Sequence, residues 1–114
     1  MCDATVLTGG ALATALHQIP TWRAEGSTIQ RVYQTDGWRG SMLVANAIAF
    51  ICEAADHHAD VLVTWPSVTV TLSTHSAGGI TAKDIEVASL IERQVTWKPE
   101  GASSLRGPGK PFVR

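Results

Sequence analysis

Apolar and polar positions along the chain alternate between helical and strand periods, and their order predicts a fold. Leu12, Ala15, Leu16 and Ile19 recur at helical spacing after Thr8-Gly9-Gly10, and Pro20 closes the run, which predicts a short first helix capped by Thr8. Two segments, Trp22-Arg23-Ala24-Glu25 and residues 27–34, then flank Gly26 and read as a hairpin. In the second, Arg31 interrupts the alternation of Ile29 and Tyr33 and leaves the buried face open. Asp36 stands where it would cap a long helix over 37–56, although Gly37 and Gly40 weaken the first turn. Over residues 42–55 that helix is apolar on nearly every side, through Leu43, Val44, Ala47, Ile48, Phe50, Ile51 and Cys52. One sheet covers one face of a helix, so the second apolar face predicts another partner, most simply a second copy of the chain.

Residues 61–64 and 68–74 are rich in β-branched side chains and are separated by Trp65-Pro66-Ser67, which has turn chemistry. In the second strand Val68, Val70 and Leu72 share one face, which puts Thr69, Thr71, Ser73 and His75 on the opposite, helix-free face. Ala77-Gly78-Gly79 ends it; without a longer glycine pattern and a lysine, this is a strand-to-helix turn rather than a phosphate loop. Thr81 caps a last helix with Val87, Leu90, Ile91 and Val95 as its apolar stripe. Residues 97–114 are rich in Pro, Gly and Ser and have no period, so the chain divides into a domain over 1–96 and an extended tail over 97–114 anchored, if at all, by Trp97 and Phe112. The expected architecture is α+β, in the order αββαββα, with one four-stranded antiparallel sheet and three helices on one face.

A chain of 114 residues, 45% hydrophobic and 17% charged, suffices for one core. Its net charge of −1 with scattered Lys and Arg excludes the concentrated positive face that direct nucleic-acid binding needs. Cys2 and Cys52 form neither a disulfide framework nor a metal spacing, and Cys52 reads as a small core residue. No apolar run reaches the roughly 18 residues of a membrane span, and no basic leader precedes an apolar core, so a soluble, cytoplasmic protein is expected.

The chemistry concentrates in residues 53–84. His57, His58 and His75 lie there among the carboxylates Glu53, Asp56, Asp60 and Asp84, which is the composition of an acid–base site. A metal fits less well: adjacent histidines on an extended backbone diverge, and no His-x-x-x-His or Cys-x-x-Cys spacing is present. Each residue also has a structural reading. The histidine pair could cap the long helix, Glu53 could meet His57 one turn later, and Asp56 could end the helix. Thr81-Ala82-Lys83-Asp84 is a capping box, and Trp65 could be a packing residue or a pocket wall. His17, outside the cluster, is a surface residue.

The order Glu53, His57-His58, Trp65, His75 and Asp84 resembles the pterin-4a-carbinolamine dehydratases, and the resemblance in element order covers residues 19–95. Ala59 stands where family members usually carry proline. The resemblance implies elimination of water from a 4a-hydroxytetrahydropterin to a quinonoid dihydropterin, with no metal and no cofactor. It implies His57 and His75 as the acid–base pair, His58 assisting, and Glu53, Asp56 and Asp84 positioning them. Ser73 and Thr74, on an exposed edge of the 68–74 strand, would read the amide-like edge of the pterin, with Trp65 beside it. A homodimer or homotetramer built on the helix 37–56 is expected. The family also implies a non-catalytic alternative: a dimerisation cofactor for transcription factors, or a carboxysome assembly factor for ribulose-bisphosphate carboxylase, either of which needs a protein client. Ala59, the tail and the apolar long helix keep that alternative open beside the enzymatic reading.

Overall fold

The computed structural model describes residues 5–114; Cys2 lies outside the described residues. The elements are α1 (Gly9–Leu16), β1 (Arg23–Glu25), β2 (Thr28–Gln34), α2 (Trp38–Ala55), β3 (Asp60–Thr64), β4 (Ser67–Leu72), a 3-10 turn (His75–Ala77) and α3 (Ala82–Val95). The strands form one antiparallel sheet in the order β1-β2-β4-β3, so the expected α+β fold of three helices over four strands is what the chain adopts. The last strand in sequence is therefore central, which corrects the expectation that it offers an exposed edge.

Alternation decides the two faces of the sheet. Val68, Val70 and Leu72 of β4 are buried beneath the helices while Ser67, Thr69 and Thr71 face away. The hidden face of β2 carries Ile29, Arg31 and Tyr33, and the arginine is accommodated because Glu92 of α3 meets it there. Glu92 gathers four bonds: Arg31 Nε and Nη2 donate at 3.1 and 3.2 Å, the Tyr33 hydroxyl at 2.7 Å and Trp22 Nε1 at 3.1 Å. The Arg31 guanidinium also lies 4.1 Å from the centre of the Tyr33 ring. Burial alone would raise the Glu92 carboxyl, but the hydrogen bonds from Arg31 and Tyr33 and the charge of Arg31 outweigh it and hold the group below its ordinary value. Burial, then the bond to Glu92, pushes the Tyr33 phenol far up.

α2 rests on this layer through Gly40, Ser41, Val44, Ile48 and Cys52, a four-residue spacing that forms one stripe. Ala47 and Ile51 pack at the edge of that stripe, whereas Trp38, Met42, Leu43 and Phe50 stay exposed, Phe50 at 76% and Trp38 at 58%. Gly37, not Asp36, is its N-cap, with no side-chain cap bond. In α3 the buried stripe is Ile85, Val87, Ala88, Ile91 and Val95, while Leu90 lies on the exposed rim.

The tail, expected to be extended, docks through its end. Gln34 and Arg114 exchange both backbone bonds at 2.9 and 2.7 Å, and the Asp36 amide donates to the Phe112 carbonyl at 3.1 Å around a Thr35–Val113 bridge. Because the Thr35 amide points to Pro66 on the β4 side, Gln34 faces the other edge of β2, which β1 leaves uncovered beyond Gln30. Gly40 makes this approach possible: a Cβ there would stand 2.9 Å from the Phe112 carbonyl oxygen. Val113 packs against the core, whereas Trp97 is 66% exposed and anchors nothing.

Candidate active site

The site begins with the way α2 stops. Asp56 has φ 53° in the left-handed region, the one such non-glycine residue among those described. The His57 amide donates back to the Cys52 carbonyl at 3.1 Å and the Asp56 amide to that of Glu53 at 3.2 Å, the reciprocal pattern that closes helices around a left-handed residue. This turn separates two consecutive imidazoles. His57 goes inward, with its side chain 13% exposed; His58 goes outward, with its side chain 56% exposed.

Inside, His57 Nε2 donates to Asp84 Oδ1 at 2.6 Å. Asp84 is fully buried, and its Oδ2 accepts from the Thr74 hydroxyl at 2.8 Å and the Thr81 amide at 2.9 Å. The capping box at the start of α3 is therefore present, and the same carboxylate also orients His57. A carboxylate only accepts, so the bond fixes the proton on Nε2 of His57. Outside, His58 Nε2 donates to Glu53 Oε1 at 2.9 Å. Glu53 thus holds His58 rather than the expected His57, because the left-handed turn breaks the helical spacing before His57 is reached.

β4 ends at Leu72, two residues before the expected end. Thr74 bridges to Gly79 across the 3-10 turn that His75 begins, and Gly78 supplies the left-handed position at its close. Beyond the last β2–β4 pair, Ile29 with Leu72, the next step sets Thr28 near Ser73. Asp60 opposes Thr71 on the other side. These strand ends leave a hollow of about 120 Å³ lined by Ser27, Thr28, His58, Asp60, Thr71, Ser73 and His75. Two histidines distant in sequence face one space.

A family model described as pterin 4 alpha carbinolamine dehydratase matches residues 5–94, which include every residue of this hollow. The chain belongs to the pterin 4 alpha carbinolamine dehydratase family. Relatives assigned to these dehydratases include one from Nocardia farcinica, 39% identical over 76% of this chain and 92% of its own, and one from Mycobacteroides abscessus, 38% identical over 79% and 96%. The crystal structure of a transcriptional coactivator/pterin dehydratase from Brucella melitensis superposes with a TM-score of 0.75 at 26% identity, covering 82% of this chain and all of that one.

Within this dehydratase fold the expected site residues separate. His58, Ser73 and His75 line the hollow. His57, Asp84 and Thr74 form the buried chain of bonds behind it, and Glu53 holds His58 from the helix. Asp56 is an exposed helix-end residue and does not line the hollow. Trp65, 67% exposed, sits in the β3–β4 turn at the far end of the hairpin, just past Thr64, which is itself four strand steps from Asp60 or roughly 13 Å at the usual rise. The pair that shares the hollow is thus His58 with His75, not His57 with His75. Ser27, Thr28 and Thr71 were not among the expected site residues, and Asp60 was counted among the clustered carboxylates without a role; the β3–β4 hairpin, which sets Asp60 opposite Thr71, was the signal that could have found those two, whereas Ser27 and Thr28 arrive through the long-range pairing of β2 with β4. Ala59, in place of the usual proline, is packed against the core between His58 and β3. Among the described residues, no three His, Cys, Asp or Glu side chains are grouped to hold a metal ion, and no helix is long and apolar enough to cross a membrane.

Proposed function

We propose that this protein is a 4a-hydroxytetrahydropterin dehydratase in which His58 and His75 are the acid–base pair. The observation that carries this reading is that both imidazoles line one hollow at the end of β4. In the reaction one imidazolium protonates the hydroxyl at carbon 4a, the carbon–oxygen bond breaks, and water leaves. The other, neutral imidazole takes the proton from the neighbouring ring nitrogen, whose electron pair forms the new carbon–nitrogen double bond of the quinonoid dihydropterin. Two imidazoles of opposite protonation state suffice, and each turnover exchanges their states. His57 acts from behind: locked to Asp84, it fixes the backbone from which His58 projects. The hollow is smaller than the roughly 300–1,000 Å³ of enclosed ligand sites, so a bicyclic ring would lie partly over the open polar face of the sheet.

The test is turnover of a synthetic 4a-hydroxytetrahydropterin by His58→Ala and His75→Ala. Each should lower kcat by about 10²–10⁴-fold, the usual weight of a positioned proton-transfer group, with an unchanged melting temperature. His57→Ala should instead lower the melting temperature, because it strands the buried Asp84 carboxylate. Wild-type rates in both hollow variants would remove the assignment.

A second reading has its own observation. Trp38, Met42, Leu43 and Phe50 leave an apolar surface on α2. It suits a homodimer or homotetramer, or a protein client of the kind that the name transcriptional coactivator implies for the Brucella melitensis protein. Sedimentation of wild type and Phe50→Glu separates self-association, which the variant would abolish, from a monomer whose surface awaits a different partner.

A further inference from the structure

Asp60 belongs to the hollow but to neither the proton-transfer pair nor the bonds that hold it. It opens β3 directly opposite Thr71, and its carboxylate takes part in no hydrogen bond or ion pair with any described residue. The other carboxylates nearby are committed: Asp84 to His57, Thr74 and Thr81, and Glu53 to His58. Two of the surrounding hydroxyls, those of Thr71 and Thr28, are held in place. Gln30 Nε2 donates to Thr71 Oγ1 at 3.3 Å, and the Thr28 hydroxyl donates to the Glu25 carbonyl at 2.8 Å, which turns its remaining lone pairs toward acceptance. No lysine or arginine lines the hollow.

A carboxylate with no bond of its own, in a hollow that also offers the Thr28 oxygen as an acceptor, suits a ligand that presents hydrogen-bond donors. A pterin carries such donors side by side, the exocyclic amine at carbon 2 and the adjacent ring N–H. Together they have the spacing of an amidine, which a carboxylate accepts with both oxygens, as it does from a guanidinium fork. We propose that Asp60 is the specificity-determining residue that reads this amidine edge and so orients carbon 4a toward His58 and His75. The inference rests on the pterin reading of the site and adds to it the group that selects the ring.

The experiment compares wild type, Asp60→Asn and Asp60→Glu on a 4a-hydroxytetrahydropterin, and measures direct binding of a 7,8-dihydropterin and of the matching 7,8-dihydrolumazine, in which an oxo group replaces the amine. A charge-assisted bidentate contact predicts that Asp60→Asn raises KM and the dihydropterin Kd by about 10- to 100-fold while kcat changes much less. Wild type should prefer the dihydropterin to the dihydrolumazine by a similar factor, and Asp60→Asn should erase the preference. Asp60→Glu, which keeps the charge, should retain part of the preference and thereby exclude a folding defect. Undiminished discrimination in Asp60→Asn overturns the proposal and leaves the dehydratase reading standing. A fall in kcat alone also overturns it, since Asp60 would then act on the imidazoles. A wild-type protein that neither binds dihydropterin nor turns over overturns both.

Discussion

At the scale of single residues, Asp56 determines what the two adjacent histidines can do. A left-handed backbone costs a side-chain-bearing residue on the order of 1–2 kcal/mol, less for aspartate than for most, and glycine nothing. Here the cost is retained at the point where the chain must send His57 inward and His58 outward, the kind of place where local strain persists. Asp56→Gly should therefore raise stability by about 1 kcal/mol and Asp56→Ala lower it, as thermal denaturation would read. Both variants should keep wild-type turnover if Asp56 only shapes the turn; a large loss of activity in Asp56→Gly would show a contact with substrate instead. Which residue takes left-handed geometry was not legible beforehand, since aspartate ends helices in several ways. The pairing of Glu53 followed from the same turn and was missed with it.

Among the elements, the helices and strands were legible because their periods were strong: the alternation of Val68, Val70 and Leu72 emerged as read, while the long helix, apolar on nearly every side in sequence, showed its buried stripe of Val44, Ile48 and Cys52 only once it was set on the sheet. What periodicity could not give was pairing between distant segments. Arg31 looked like a break in β2 until Glu92, on α3, was brought beneath it. Trp65 looked close to the histidines in sequence, but antiparallel pairing carries it to the other end of the hairpin. For the docked tail the sequence offered only Trp97 and Phe112 as anchors and nothing of its pairing with β2, because backbone-to-backbone bonds leave no side-chain pattern. Covering the free edge of β2 also removes an unpaired ladder that could recruit another chain. Deleting residues 110–114 should cost about 1–3 kcal/mol, through three backbone bonds and the burial of Val113, and speed amide exchange at Gln34 and Asp36. Gly40→Ala, by pressing on the Phe112 carbonyl, should produce the same exchange signature, and the two changes together should add little beyond either. Unaltered exchange at Gln34 in the deletion would show that the tail is not bound there in solution.

For the molecule as a whole, the cluster joining the sheet to α3 sets how stability responds to pH. Glu92 has a folded-state value below its unfolded one, so its contribution is complete above the ordinary carboxylate range and is lost as pH falls through the lowered value. Tyr33 runs the other way. Its phenol keeps its proton in the fold beyond the pH at which the unfolded chain releases it, so stability declines as pH rises past the ordinary tyrosine value. Urea titrations across pH should show losses at both ends, and Glu92→Gln should flatten the acid limb; an acid limb unchanged by that substitution would assign it to other carboxylates. The same architecture has a mechanical consequence. Arg114 and Gln34 are joined by a pair of backbone bonds at the very end of the ladder, so tension applied through the C-terminus loads the tail's bonds one after another rather than together. The tail peels away first and at low force, and only then does the load reach the layered helices and strands.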